Sequence, residues 1–428
     1  MGPSRLPAGG VVWKRVATEG TRVKEKKYKY DVLVIGGLGH IGLPLGILLA
    51  DAGLRVALYD VDVKKRAVVE AGEMPFLEYD VEPILRRVIG RTLHLADSLE
   101  DVAVSDTVII TIGTPVDEYL NPKMLPILQL AEHLTRYLHD GHHVMLRSTV
   151  FPGTSQRLRE FFEGQGIKLD LSFCPERIVQ GRAVHELGRL PQIISGFTES
   201  AVSRAEALFG KLQVQMVKVS VQEAELAKLF TNAWRYIQFA IANQFYMMAT
   251  EHGADFARIH HAMTYGYERA RDFPTPGLAA GPCLLKDTLQ LSAFHQNSFQ
   301  LGHAAMLINE GLPNFIVENL RKSHGPDLGK SRVGILGMAF KADIDDIRDS
   351  LSYKLAKILK FYGATVVCSD EYVKDPAFVS TEEILATCPT VIIGVPHSAY
   401  RRLRIPEGTA VVDLWNVVGP AHNLPEAE

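Results

Sequence analysis

The chain has 428 residues, 47% hydrophobic and 22% charged, enough apolar material for two or three ordinary domains. A formal net charge of −3 gives no basic footprint, so nucleic acid is not an expected partner. Four cysteines, Cys174, Cys283, Cys368 and Cys388, lie far apart with no CxxC and no histidine at ligand spacing. That pattern argues against a disulfide framework and against a metal site, and it fits a reducing, cytoplasmic compartment.

Residues 1–30 carry Arg5, Lys14, Arg15, Arg22, Lys24, Lys26, Lys27 and Lys29 without an apolar signal-peptide core. They read as a mobile basic leader, the alternative being contact with an anionic surface. The run 32–50 is broken by a single polar residue, His40, over nearly the length of a membrane span. Gly36, Gly37, Gly39, Gly42 and Pro44 decide against a span: a continuous helix loses roughly 1 kcal/mol for each glycine and about 3 for an interior proline. A buried strand, a turn and a helix fit the run, and no membrane is expected.

Short β-branched runs at 32–35, 55–59, 107–112 and 143–146 alternate with amphipathic segments, the βαβ pattern of a parallel sheet, here placed in a domain covering 31–215. The segment 221–252 has Leu226, Phe230, Ala233, Ile237, Ile241 and Met248 near helical spacing and predicts one long helix within a central helical region, 216–325. Strand patterns return at 333–336, 365–368, 390–394 and 410–414, within a last domain of 326–428. The expected fold is therefore α/β: two Rossmann-like doubly wound domains joined by a helical middle.

The first strand runs into Gly37-Leu38-Gly39-His40-Ile41-Gly42, and the next ends at Asp60, eighteen residues beyond Gly42. Glycines there permit a tight turn and close approach of a pyrophosphate to a helix N-terminus. A carboxylate at Asp60 bonds a ribose 2′-hydroxyl and repels a 2′-phosphate, so NAD is favoured over NADP. Lys64, Lys65 and Arg66 temper that preference unless they are only a solvated helix start.

The long helix carries Glu225, Lys228, Asn232 and Arg235 as a polar stripe roughly opposite Leu226, Phe230 and Ile237. Such a stripe is either a solvated face or, with Lys228 and Asn232 buried, a site that stabilises a developing oxyanion. The segments 147–154 and 173–177 follow predicted strands, where doubly wound sheets place ligands; Glu176 is there a site acid or a helix cap. Cys283 lies in a Gly- and Pro-rich loop, 274–283, followed by Lys286 and Asp287. It reads either as a small buried apolar residue or as a thiol that holds an aldehyde beside a hydride acceptor.

These motifs in this order resemble the nucleotide-sugar 6-dehydrogenases, the UDP-glucose and UDP-N-acetylhexosamine dehydrogenase family, from Asp31 to about Gly419. The match takes in Gly37 to Pro44; Gly72, Pro75 and Glu78; Gly113-Thr114-Pro115; Ser148-Thr149-Val150 with Gly153-Thr154; and Cys174-Pro175-Glu176-Arg177. It continues through Lys228, Asn232, Cys283, Lys286-Asp287, Gly337 to Asp343, and Asp346 to Ser350.

The resemblance implies NAD binding by the first domain, nucleotide-diphosphate binding by the last, and a homodimer through the central helix. It implies a four-electron oxidation of a sugar 6-hydroxyl to the uronic acid through a thiohemiacetal and a thioester. Cys283 is then the nucleophile, Lys228 and Asn232 stabilise the oxyanion, and Asp287 and Glu176 assist proton transfer and hydrolysis. Gly37, Gly39, Gly42, Asp60, Thr114, Thr149 and Arg348 match cofactor contacts. Phe340 and Lys341 match substrate contacts, and the loop holding Pro276, Gly277 and Gly281 is expected along the nucleotide sugar.

Three departures stand out: Ala280 where a glycine is usual, Leu278 and Ala279 in a glycine-rich stretch, and Trp415 where an arginine often follows Asp-x. They leave the hexose open. The alternatives are a two-electron β-hydroxyacid dehydrogenase, which needs neither Cys283 nor a third domain, and a catalytically silent nucleotide-sugar-binding protein.

Overall fold

The computed structural model describes residues 28–113 and 125–418. The first α/β unit contains β1 (Tyr30–Ile35), α1 (Gly42–Asp51), β2 (Val56–Tyr59), α2 (Val63–Glu70), α3 (Glu82–Val88), β3 (Leu93–Leu95), β4 (Ser105–Ile110), α4 (Leu125–Leu134), β5 (His143–Leu146), α5 (Thr154–Gly164) and β6 (Asp170–Phe173). A short α6 (Ala183–Leu187), β7 (Gln192–Ile194), α7 (Glu199–Gly210) and β8 (Met216–Lys218) complete it. The six strands form a parallel sheet ordered β3-β2-β1-β4-β5-β6, while β7 and β8 pair separately.

Pleating sends Val32 and Val34 into one core with Leu43 and Leu58, and Leu33 and Ile35 into another with Val108 and Val144. Both faces are thus covered, which is why the strands read as unbroken apolar runs. Strand order reverses between β1 and β4, so the loops after these strands open a crevice at their carboxyl ends. The expected leader is shorter than 1–30: Tyr30 already belongs to β1, and the Lys29 N–H donates to the Val104 carbonyl at 2.9 Å. Its residues 1–27 lie outside the described residues.

The middle is helical: α8 (Val221–Glu251), α9 (Phe256–Thr264), α10 (Leu284–Phe294) and α11 (Gln300–His324). The last α/β unit has β9 (Arg332–Leu336), α12 (Leu351–Phe361), β10 (Thr365–Ser369), α13 (Thr381–Thr387), β11 (Thr390–Ile393) and β12 (Ala410–Val412), in a parallel sheet ordered β10-β9-β11-β12. A capping box starts α8, with the Ser220 hydroxyl on the Glu223 N–H and the Glu223 carboxylate on the Ser220 N–H. No helix among the described residues is long and apolar enough to cross a membrane.

Of the two readings of the polar stripe on α8, burial holds for part of it: Glu225 and Asn232 are 2% and 5% exposed, while Phe230 and Met248 of the apolar set are 54% and 51% exposed. Helical periodicity finds two unlike faces without saying which is inside, and here the stretch from Glu225 to Asn232 is covered by α10 and the first domain.

Candidate active site

α8 and α10 build the centre. Cys283 occupies the N-cap position of α10, and Asp287 lies in its first turn. The Asn232 amide donates to Asp287 Oδ2 at 2.5 Å, and Lys286 Nζ lies 2.9 Å from Asp287 Oδ1. Asp287 is wholly buried while Cys283 stays open to solvent.

Lys228, one turn before Asn232, faces the same cluster. Burial pushes its ammonium below the usual lysine range, against the pull of the Asp287, Cys283 and Glu176 charges. Crowding by protein raises the Cys283 thiol above its usual range, helped by Asp287 and opposed by Lys228, Lys286 and Arg348. The start of α10 adds a dipole that favours a thiolate there. A resting thiol and a lysine that gives up its proton easily therefore stand together.

The stripe divides by role. The Glu225 carboxylate accepts the Gly153 and Ser155 N–H groups at 2.6 and 3.0 Å and so caps the start of α5, and Arg235 is exposed. Only Lys228 and Asn232 belong to the centre.

Glu176 is held rather than free. Its Oε1 accepts the Arg177 and Ile178 N–H groups at 2.7 and 3.0 Å, and its Oε2 is ion-paired with Arg147. It caps its own turn rather than a helix. Arg147, at the end of β5, is completely buried; it also donates to Gln192 Oε1 and the Cys174 carbonyl, and lies 4.9 Å over the Phe209 ring. In the sequence a lone arginine at a strand end carries no signal of its burial.

At the β1–α1 turn, a Cβ on Gly37 or Gly42 would collide with the turn's own neighbours, Leu58 and the Gly36 carbonyl respectively. A Cβ on Gly39 would meet only the Gly36 oxygen, at an ordinary 3.4 Å. The fold demands glycine at 37 and 42, while at 39 the open space suits a close-lying phosphate. Asp60 stands beside this turn, its Oδ2 accepting the Leu38 N–H at 3.0 Å. Arg66 is turned away to the Leu95 and Ala96 carbonyls and Asp97, which leaves it as structure rather than a 2′-phosphate clamp. Thr149 is half-buried just past β5, and Thr114 lies outside the described residues.

The loop after β9 reaches across to the first domain. Asp346 accepts from Gln180 at 3.1 Å and pairs with Arg348 at 2.6 Å. Lys341 Nζ donates to the Gln180 carbonyl at 2.6 Å, and burial lowers it to about 8. His40 packs on Phe76 with ring centroids 3.9 Å apart; burial lowers it to about 4, with Arg348 adding to the shift and Asp346 opposing it.

Comparison with known proteins decides the family. The UDP-glucose/GDP-mannose dehydrogenase family matches in three parts: its NAD binding domain over 31–213, its central domain over 222–311 and its UDP binding domain over 334–420. The chain belongs to this family. It is 28% identical over 385 residues to UDP-N-acetyl-D-mannosamine dehydrogenase of Pyrococcus horikoshii, covering 86% of this chain and 90% of that one. The solved structure of the UDP-D-ManNAc dehydrogenase from that organism superposes with a TM-score of 0.81 at 26% identity, over 87% of this chain and 91% of the other. A UDP-glucose dehydrogenase from Pyrobaculum islandicum gives 0.80 at 25% identity, over 92% and 99%. As a family member the chain is an NAD-dependent oxidoreductase, and the open space at Gly39 and the Asp60 carboxylate fit that cofactor.

The departures from the family's glycine-rich loop are absorbed by packing. Leu278 is buried in the core of the last domain beside Leu312 and Ile316, Ala280 packs against the same cluster, and Ala279 joins Tyr236 and Leu284. The Trp415 ring lies against Gly277, and its Nε1 donates to the Gly394 carbonyl at 3.3 Å. Gly281, at φ +99°, has the Phe340 ring 2.5 Å from where a Cβ would stand. Pro276 and Trp415 help line a cavity of about 490 Å³ between α9 and the segment after β12.

Proposed function

We propose that this chain oxidises the 6-hydroxyl of a nucleotide hexose to the uronic acid in two NAD-dependent steps, through a covalent adduct on Cys283. What carries it is the assembly of a solvent-reachable thiol with Lys228, Asn232 and Asp287 at the start of α10. The UDP binding domain match supports the substrate class, and the names of the relatives favour an N-acetylhexosamine.

Gly37, Gly39, Gly42, Asp60, Thr149 and Arg348 are assigned to holding NAD, which when bound accepts one hydride in each oxidation. In the first step Lys228, its proton affinity reduced by burial, takes the hydroxyl proton as the hydride leaves C6, giving the aldehyde. Cys283 sulfur then adds to the aldehyde carbon as the C=O π bond opens, and the thiol proton passes to the aldehyde oxygen; Lys228 and Asn232 donate to that oxygen. Lys228, having released its first proton to solvent, takes the thiohemiacetal hydroxyl proton as a second hydride leaves the carbon, and a thioester remains. Water, oriented by Asp287, attacks the acyl carbon and the C–S bond breaks; one water proton returns to the Cys283 sulfur and the other passes to solvent, leaving carboxylate and thiol. Glu176, fixed by Arg147 and two backbone N–H groups, is assigned electrostatic support of Lys228 rather than free movement of a proton.

The two-electron reading leaves Cys283 and the last domain without a task, and the silent-binder reading leaves the whole charged cluster without one. The experiment counts NADH formed per sugar consumed across a panel of nucleotide sugars. The parent should give two, and Cys283→Ala should bind both ligands yet stop at the reversible first oxidation. One NADH with aldehyde release from the parent, or two from the alanine variant at parental rate, overturns the covalent route. We further infer that a second copy covers the exposed apolar stripe of α8.

A further inference from the structure

The loop between Pro276 and Gly281 is pinned by a side chain far along α8 from Lys228. Asn243, wholly buried on α8, lies about 22 Å along the helix axis from Lys228 at 1.5 Å per residue. Its Oδ1 accepts the Gly277 N–H at 2.8 Å, and its Nδ2 donates to the Gly277 carbonyl at 3.0 Å and to Asn309 Oδ1 at 2.9 Å. Asn309 in turn donates to the Tyr236 carbonyl at 2.9 Å, which fixes the orientation of the pair on α8 and α11. One side chain therefore satisfies both backbone groups of one loop residue.

The Trp415 ring occupies the space a Cβ on Gly277 would take. At the other end the Gly281 N–H donates to the Asp349 carbonyl at 3.3 Å beneath the Phe340 ring. Between these anchors Leu278 and Ala279 are 5% and 3% exposed, so their side chains serve as plugs into two cores rather than as ligand contacts.

We propose that Asn243 and Trp415 are positioning residues that lock Gly277 and thereby hold the loop 276–281 in shape before any ligand arrives. The proposal rests on the reading of that loop as the wall of the nucleotide-sugar site. Trp415 then acts through the backbone it packs on, and this chain sets by an aromatic contact a loop shape that flexible glycines would leave to the ligand. A preformed wall lowers the ordering penalty of binding and so acts on KM rather than on kcat.

The test uses the full chain with NAD and two readouts: amide exchange of the ligand-free segment 275–281, and steady-state kinetics with the nucleotide sugar that the parent oxidises. Asn243→Ala, which removes two neutral hydrogen bonds to Gly277, should speed exchange of this segment and raise the sugar KM by about tenfold each, with kcat and the NAD KM nearly unchanged. Trp415→Leu, which removes the ring packed on Gly277, should likewise speed exchange of this segment and raise the sugar KM with kcat nearly unchanged. This second variant keeps the test sound if Asn243→Ala does not fold, because Trp415 is only partly buried.

Unchanged exchange in Asn243→Ala or in Trp415→Leu overturns the lock. Faster exchange with an unchanged sugar KM overturns its role in binding. If exchange responds as expected but the parent oxidises no nucleotide sugar, the lock stands and the substrate reading falls.

Discussion

Removing Arg147 tests how much of the site's geometry depends on one buried charge pair. Arg147 is completely buried, and its guanidinium meets Glu176, Gln192 and the Cys174 carbonyl. Arg147→Met keeps the approximate length of the side chain but leaves the Glu176 carboxylate without its cation. Breaking a buried pair in this way costs about 3–5 kcal/mol. For a domain the size of the 31–213 match, 1 kcal/mol moves the melting midpoint by roughly 2–4 °C, so its transition should fall by about 6–20 °C.

The control is Arg147→Met with Glu176→Gln, which removes both charges; it should recover a substantial part of the loss, since what destabilises the single variant is an unpaired carboxylate. Differential scanning calorimetry of parent, single and double variants reads this directly. A single variant that melts within about 2 °C of the parent, less than 1 kcal/mol by the same scaling, would show that Glu176 is not held by Arg147.

Asp60→Ala should weaken NAD binding and narrow the gap to NADP without reversing it, because Arg66 is tied to the Leu95 and Ala96 carbonyls; fluorescence titration with both cofactors reads the ratio, and a parent that prefers NADP refutes the ribose assignment. Lys228→Ala should lower kcat by on the order of 10²-fold, and unchanged turnover would return Lys228 to a passive role. Because Lys228 must be neutral to accept a proton and burial lowers its pKa, the rising limb of the parent's kcat/KM profile should lie below the usual lysine range. In Asp287→Asn a charge that raises the Cys283 thiol is gone, so the pH at which iodoacetamide reacts should move down; an upward move contradicts the coupling.

The cofactor turn was legible in the sequence because glycine spacing, strand and acidic residue all report one local backbone event. Lys228, Asn232 and Cys283 were each legible as one of two readings, and family resemblance chose between them and gave Asp287 its role; the contact of Asn232 with Asp287 joins residues on two helices that no periodicity relates. For Trp415 the sequence showed the departure but not its meaning. Its ring packs on Gly277, more than a hundred positions away in the chain, a contact that no local pattern reports. Asn243 was invisible because a helix asparagine gives no sign of bonding a distant loop backbone. The same limit applies to α8: a period of 3.6 separates two faces, and only tertiary context decides which one meets protein.

The exposed apolar residues of α8 bear on the proposed second copy. Phe230, Trp234, Ile241, Phe245 and Met248 recur three, four or seven residues apart along α8, and each is at least 37% exposed. Covering what remains open on the five yields about 4–8 kcal/mol per chain, at half the 1.5–3 kcal/mol for full burial of each side chain. Association itself costs an estimated 4–15 kcal/mol, so two such stripes roughly break even. A stable pair therefore needs more surface, and the adjoining candidates are Ile259, Tyr265 and Tyr267, at 37%, 74% and 52% exposed on α9 and the turn after it. This turn leads within ten residues to Pro276 and the pinned Gly277. An interface large enough to hold two copies together by this route would extend toward the loop that walls the proposed sugar site, so Trp234→Glu, which should yield monomers by light scattering, is also expected to raise the sugar KM.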